Sequence, residues 1–320
     1  MLRAMSDSDQ AVPAPRPLAA TVPAGMTLAA PVAARAAGMV PRAMLWMLAS
    51  GLLFTCLNAL LRTLAQQLDP FVAQFLRYAA GALVMLPFIL RAGLAAYRPK
   101  GMGGQLWRGA VHTSGLLLWF VAVPHVPLAE MTALGFTTPL FIMLGAILFL
   151  GERMVPARWA AALVGFLGVL VVVSPGLTGS GGPYGFVMLA SSPLFAASFL
   201  ITKALTRRDS PQVIVVWQAL TVALFSLPLA LYVWTWPTPL QWGLFLLAGV
   251  LGSAGHFCLT RAFSMADLSA TQPVKFLELL WSSVVGFLVW GDLPGPPTLL
   301  GGAIIFAATT WIARREARRG

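Results

Sequence analysis

The chain repeats itself. Met47-Leu48-Ala49-Ser50 returns as Met188-Leu189-Ala190-Ser191, Leu86-Pro87 as Leu227-Pro228, and Gly151-Glu152 as Gly291-Asp292. Asp69-Pro70 lines up with Ser210-Pro211, Arg77 with Gln218 and Gly115 with Gly255. An offset that holds near about 140 residues marks one duplicated unit and not scattered matches. Each unit carries five apolar spans, an odd number, so the second copy enters a bilayer upside down relative to the first. Inverted repeats of this kind suit a carrier whose halves rock around a shared cavity.

The spans are expected at 43–64, 71–91, 105–124, 128–150, 156–174, 184–204, 212–234, 240–260, 268–290 and 297–313. Each approaches the ~20 residues needed to cross about 30 Å of hydrocarbon. With 58% hydrophobic and 10% charged residues, a water-soluble fold is excluded. The expected fold is all-α integral membrane, ten transmembrane helices in two inverted five-helix repeats. The first repeat would occupy 43–175 and the second 184–313. An Ala- and Pro-rich tail, 1–42, reads as disordered, and 314–320 as a short basic tail.

Charge sets orientation. Arg35 and Arg42 precede the first span; Arg91, Arg98, Lys100 and Arg108 flank the second loop; Arg153 and Arg158 follow the fourth span. Lys203, Arg207, Arg208, Arg261, Arg314 and Arg315 continue the pattern. Ten spans with both termini in the cytoplasm put all of these on one side of an inner membrane, as the positive-inside rule requires. The net charge of +11 is then a matter of orientation, and a nucleic-acid partner is not expected. Short loops are expected to make consecutive helices antiparallel neighbours. Pro87, Pro139, Pro193 and Pro228 are expected to kink their spans.

Several local signatures resemble a known family. Pro139-Leu140-Phe141 leads into Phe149-Leu150-Gly151-Glu152-Arg153, and a Trp159–Gly168 span follows. The second copy closes in Trp290-Gly291-Asp292 and continues into Leu300-Gly301-Gly302; Phe75-Leu76-Arg77-Tyr78 supplies an aromatic-Arg element. Together they resemble the drug/metabolite transporter superfamily in its ten-span form with two EamA repeats. Two departures are Asp292 for the commoner Glu, and Leu279 where the first copy has Pro139. The resemblance implies a secondary, non-ATP transporter of a small polar or amphoteric metabolite (amino acid, vitamin or nucleoside-like compound) working by alternating access. A membrane-embedded enzyme or an accessory subunit is the alternative. No P-loop, HExxH, GxSxG or Cys/His zinc cluster occurs, so no enzyme, cofactor or metal is expected. A homodimer is left open.

A charge in mid-membrane costs about 2.5–3.5 kcal/mol or more on insertion scales, so each one needs a reason. The candidates for substrate contact are Arg77, His112, Trp119, Thr138, His256, Lys275, Glu278 and Trp281. Lys275 and Glu278, three apart on the ninth span with Trp281 on the same stripe, would present a cation, an anion and an aromatic plate. His112 and His256 occupy related faces of the third and eighth spans, with Trp119 about two turns beyond His112. Thr138 is the repeat equivalent of Glu278. Arg77 could bind a carboxylate bidentately. Glu278 and Glu130 are the candidates for proton coupling.

Overall fold

A computed structural model describes residues 39–318 apart from 66, 123, 124, 127, 178–181, 292 and 294, without the side chains of 62, 65, 128–130 and 290. Most of the N-terminal tail, Asp292 and the Glu130 side chain therefore lie outside the described residues. The order of helices is α1 Met39–Ala65, α2 Pro70–Ala92, α3 Met102–Ala122, α4 Leu128–Gly135, α5 Thr138–Leu150, α6 Pro156–Val173 and α7 Gly182–Leu205. Then come α8 Pro211–Tyr232, α9 Pro239–Met265, α10 Leu268–Lys275, α11 Glu278–Trp290 and α12 Pro296–Arg318. Nine stretches among the described residues are long and apolar enough to cross a membrane. Helix α3 has the length, 21 residues, but its Gln105, Arg108, His112, Thr113 and Ser114 keep it below that apolarity.

Proline starts many of these helices, where its missing N–H costs nothing. Pro70, Pro156, Pro211 and Pro239 all sit in the first turn. Asp69 caps α2 by accepting from the Phe71 N–H at 2.9 Å. Thr238 and Gln241 form a reciprocal capping box on α9.

The fourth and ninth spans, expected as continuous, are each broken at the same register: between α4 and α5 at 136–137, and between α10 and α11 at 276–277. At both breaks the bonds tighten to three-residue steps, Thr137 N to Leu134 O at 3.1 Å and Leu277 N to Val274 O at 3.1 Å. Proline at 139 is not the common cause, since the second copy carries Leu279 there. By contrast Pro87, Pro193 and Pro228 lie inside unbroken helices.

Lateral packing corrects another expectation. Consecutive helices are not the main neighbours; the most extensive pairings are α1 with α9, α6 with α12, α3 with α7 and α2 with α8. Each of these joins one repeat to the other, so the halves interlock. Small residues permit the closest crossings. A Cβ on Gly249 would stand 2.7 Å from the Ala80 carbonyl carbon, and one on Gly168 would stand 2.9 Å from the Gly301 oxygen.

One end of the bundle is tied by charge. Arg158 donates to both carboxylate oxygens of Glu316 at 3.1 and 3.2 Å, to Asp267 at 3.0 Å and to Ser269 Oγ at 3.0 Å. Glu152 accepts from the N–H groups of Leu268 and Ser269 at 2.6 and 3.1 Å, capping a helix of the other repeat. Lys203 donates to the Phe263 and Ala266 carbonyls, both at 2.6 Å. Removing one partner of a buried pair strands the other charge, at a cost of about 3 kcal/mol or more. Arg158→Met should therefore lower the melting temperature of the purified protein clearly, and Arg158→Met/Glu316→Met should recover most of the loss. An unchanged melting temperature in the single variant would mean that the bridge contributes nothing to stability.

Candidate functional site

Four helices from both repeats converge on a buried polar ring. Helix α2 supplies Arg77 and Tyr78, α3 supplies Arg108 and His112, α8 supplies Gln218, and α9 supplies His256. The Tyr78 hydroxyl and His112 Nε2 are 3.0 Å apart. Arg108 donates from Nη2 to Gln218 Oε1 at 2.5 Å and from Nη1 to the Ile214 carbonyl at 3.0 Å. The Gln218 amide nitrogen lies 3.4 Å from His256 Nε2. The two imidazoles stand 6.0 Å apart at 78°, so the histidines read from opposite halves of the chain do meet.

Aromatic rings enclose this ring of polar groups. Phe54 lies 4.9 Å from His256, and Phe195 5.4 Å and Phe199 6.4 Å from His112, between ring centres. Arg108 is 0% exposed, and Tyr78, His112, Gln218 and His256 are all buried. Arg77, Tyr78, Gln218, Gly252, Ser253 and His256 line a cavity with about 10 Å³ open to the centre of a water-sized sphere, the room of one water.

A second cluster sits beside the first. Lys275 and Glu278 form an ion pair, but not along one continuous helix: Lys275 ends α10 and Glu278 begins α11, so the pair straddles the break. The Lys275 ammonium lies 5.3 Å from the Phe54 ring centre. Trp281 and Glu278 both face Gly51, with the indole Cδ1 3.8 Å and the Glu278 Cβ 3.9 Å from where a Cβ would stand. Phe54 thus touches both clusters, joining Arg77, His112, His256, Lys275, Glu278 and Trp281 into one region.

Trp119 and Thr138 are placed differently. Trp119 packs with Ala122, Val126 and Met188 in a separate apolar cluster, its ring 5.0 Å from Phe120. Thr138 is half-buried at the first turn of α5, beside the break that matches the one at Glu278. Sequence reasoning missed three members of the polar ring. Tyr78 enters the sequence reading only within the aromatic-Arg element, Gln218 only as the repeat partner of Arg77, and Arg108 only as a charge flanking the second loop. The available signal was a helical stripe: Gln105, Arg108 and His112 recur at three- and four-residue steps in an otherwise apolar span.

The ion pair is partly shielded, with side chains 24% and 13% exposed, so its members should be energetically coupled. In a double-mutant cycle, Lys275→Met and Glu278→Gln should each lower thermal stability, and the double variant should lose less than their sum. A coupling of about 1 kcal/mol or more is expected; strict additivity would show the two charges acting independently.

The model of the EamA-like transporter family matches residues 41–174 and 183–314. A riboflavin transporter of Rhizobium johnstonii is 37% identical over 278 residues, 86% of this chain and 92% of that protein. An S-adenosylmethionine uptake transporter of Rickettsia bellii is 28% identical, over 85% of this chain and 93% of its own. A pseudopaline exporter of Pseudomonas aeruginosa is 31% identical, over 82% and 93%. A solved crystal structure described only as that of a protein superposes with a TM-score of 0.75 at 19% identity, covering 87% of this chain and 99% of that one. That last likeness is one of fold alone.

Proposed function

The chain belongs to the EamA-like transporter family, and from that premise we propose that its solute is riboflavin or a similar flat, polar-edged heterocycle. It is a multi-pass inner-membrane secondary transporter of a small metabolite, as its relatives are. The observation that carries the finer identity is the placement of Tyr78, His112, Gln218 and His256 among the rings of Phe54, Phe195 and Phe199. Aromatic rings stack on a planar solute, and the polar groups between them hydrogen-bond its edge. A riboflavin transporter of Vibrio cholerae, 32% identical over 86% of this chain, supports the same solute.

The protein acts as a carrier and not an enzyme, moving its solute down the solute's own gradient or with protons. Lys275, Glu278 and Trp281 contribute to the solute site across the break, with Thr138 at the matching break of the first repeat. Glu278 is the first candidate for proton coupling, since a proton taken up by its carboxylate would free the paired Lys275 ammonium, and Glu130 is the second. Both termini lie in the cytoplasm, so that the Arg158–Glu316 and Glu152 contacts close the cytoplasmic end. The partners are the solute and the bilayer, with no nucleic acid.

Purified protein in proteoliposomes should take up labelled riboflavin with saturable kinetics. Glu278→Gln should remove the response to an imposed pH gradient and slow riboflavin counterflow without abolishing it. Impermeant thiol labelling of a cysteine added at the C-terminus should succeed only from the cytoplasmic face. Folded protein that carries no riboflavin under either gradient would sink the proposed solute.

A further inference from the structure

Arg108 is a guanidinium inside a membrane span, fully buried, with no carboxylate within 4.0 Å among the described residues. Its two terminal nitrogens are satisfied by Gln218 and the Ile214 carbonyl. Those two bonds suffice for a strut between α3 and α8, yet the Nε atom is left without a partner. His112 Nδ1 and His256 Nδ1, in the same ring, are buried and unpartnered as well. Buried polar atoms are nearly always paired in folded proteins, and three of the eleven unpaired ones among the described residues gather in this ring, where one ligand edge would reach them together.

The charges around the ring have one sign. Arg77 lines the small cavity and Arg108 lies one bond away through Gln218, while the acids on neighbouring turns are engaged elsewhere: Asp209 accepts from Gln105 and the Lys100 N–H, and Glu278 is closed on Lys275. Gln218 is already spent, its oxygen on Arg108 and its nitrogen turned to His256. The ring therefore has surplus donor capacity and no anion to answer it.

We infer that Arg108 sets the charge preference of the carrier, favouring solutes with an anionic or acceptor-rich edge and rejecting cations. Carbonyl oxygens, a ring nitrogen or a carboxylate would accept from the unpaired guanidinium N–H, and the unpaired imidazole nitrogens would hold the rest of that edge. A cationic heterocycle of the same size would bring a like charge into a water-poor site, where repulsion is poorly screened. This role rests on the carrier function above, but not on riboflavin being the solute.

Thermal shift of the purified protein against orotate (an anionic pyrimidinedione) and thiamine (a cationic heterocycle) tests it directly. Wild type should respond to orotate at concentrations at least tenfold lower than to thiamine. Arg108→Gln should abolish that preference, and Arg108→Lys should keep the preference with weaker binding. Equal or better binding of thiamine by wild type, or an unchanged ordering in Arg108→Gln, overturns the proposal. Should Arg108→Gln not fold, the wild-type series and Arg108→Lys still decide it. Wild type that prefers orotate but ignores riboflavin would retain the role of Arg108 and discard the proposed solute. Riboflavin flux that is equal in wild type and Arg108→Gln would do the reverse.

Discussion

Phe136 stacks on Phe276, ring centres 5.8 Å apart and 23° from parallel, and these two residues are the same position in the two repeats. A residue that touches its own symmetry mate must lie close to the axis relating the halves. The broken fourth and ninth spans therefore cross there, each tightened just where it meets the other. Gly165 of α6 keeps the space for that stack, since a Cβ on it would stand 2.8 Å from Phe276. From this crossing the rest of the arrangement follows: the third and eighth spans must pass on either side, each against the first helix of one repeat or the other. That is the interlocking of α1 with α9 and of α3 with α7.

Interlocked halves cannot slide freely, because cores packed at crystal density shift between discrete arrangements and do not deform smoothly. Motion is easiest where packing is already relieved. The two breaks lack full helical bonding, and in the polar ring both repeats present side-chain atoms that need partners, Arg108 Nε and His112 Nδ1 from one and His256 Nδ1 from the other. Lipid offers no hydrogen bonds, so separating the helices there favours a solute or water that restores them. The ion pair of Lys275 and Glu278 spans one of the breaks, coupling the local chemistry to the joint most able to bend.

Much of this was legible in the chain. The duplicated segments and the odd span count led to the inverted ten-span bundle; the charges Arg77, Lys275 and Glu278 pointed to α2 and the ninth span, and His112 and His256 to α3 and α9. What the sequence concealed was tertiary. The breaks at 136–137 and 276–277 are set by a crossing, and their local residues, Phe-Thr-Thr-Pro and Phe-Leu-Glu-Leu, share no breaker. Short loops dictate direction but not lateral neighbours, which is why sequential helices proved poor partners. Helix α3 begins at Met102, three residues before the expected start at 105, which sets Arg108 nearly two turns inside the helix and not at the mouth of the span. Trp119 shares a stripe with His112, yet seven residues of helix advance by about 10 Å, enough to place it in another layer.

The symmetry of the scaffold does not extend to its chemistry. At one end Arg158, Glu316, Asp267, Ser269 and Glu152 converge on the turn between α9 and α10. The equivalent positions of the other repeat hold Thr298 for Arg158, Pro127 for Asp267 and Ala129 for Ser269. No ion pair of that kind can form from them. The described contacts at the opposite end are of another sort: Gln241 to Gln67 at 3.0 Å, His125 stacked on Tyr184, and Trp234 edge-on to Trp236. Charge-assisted bonds are about twice as strong as neutral ones, and a buried charge must not be left unpaired while the helices part. One duplicated unit has thus acquired unlike closures at its two ends, through substitutions at a few loop-flanking positions and without change to the helices that carry them.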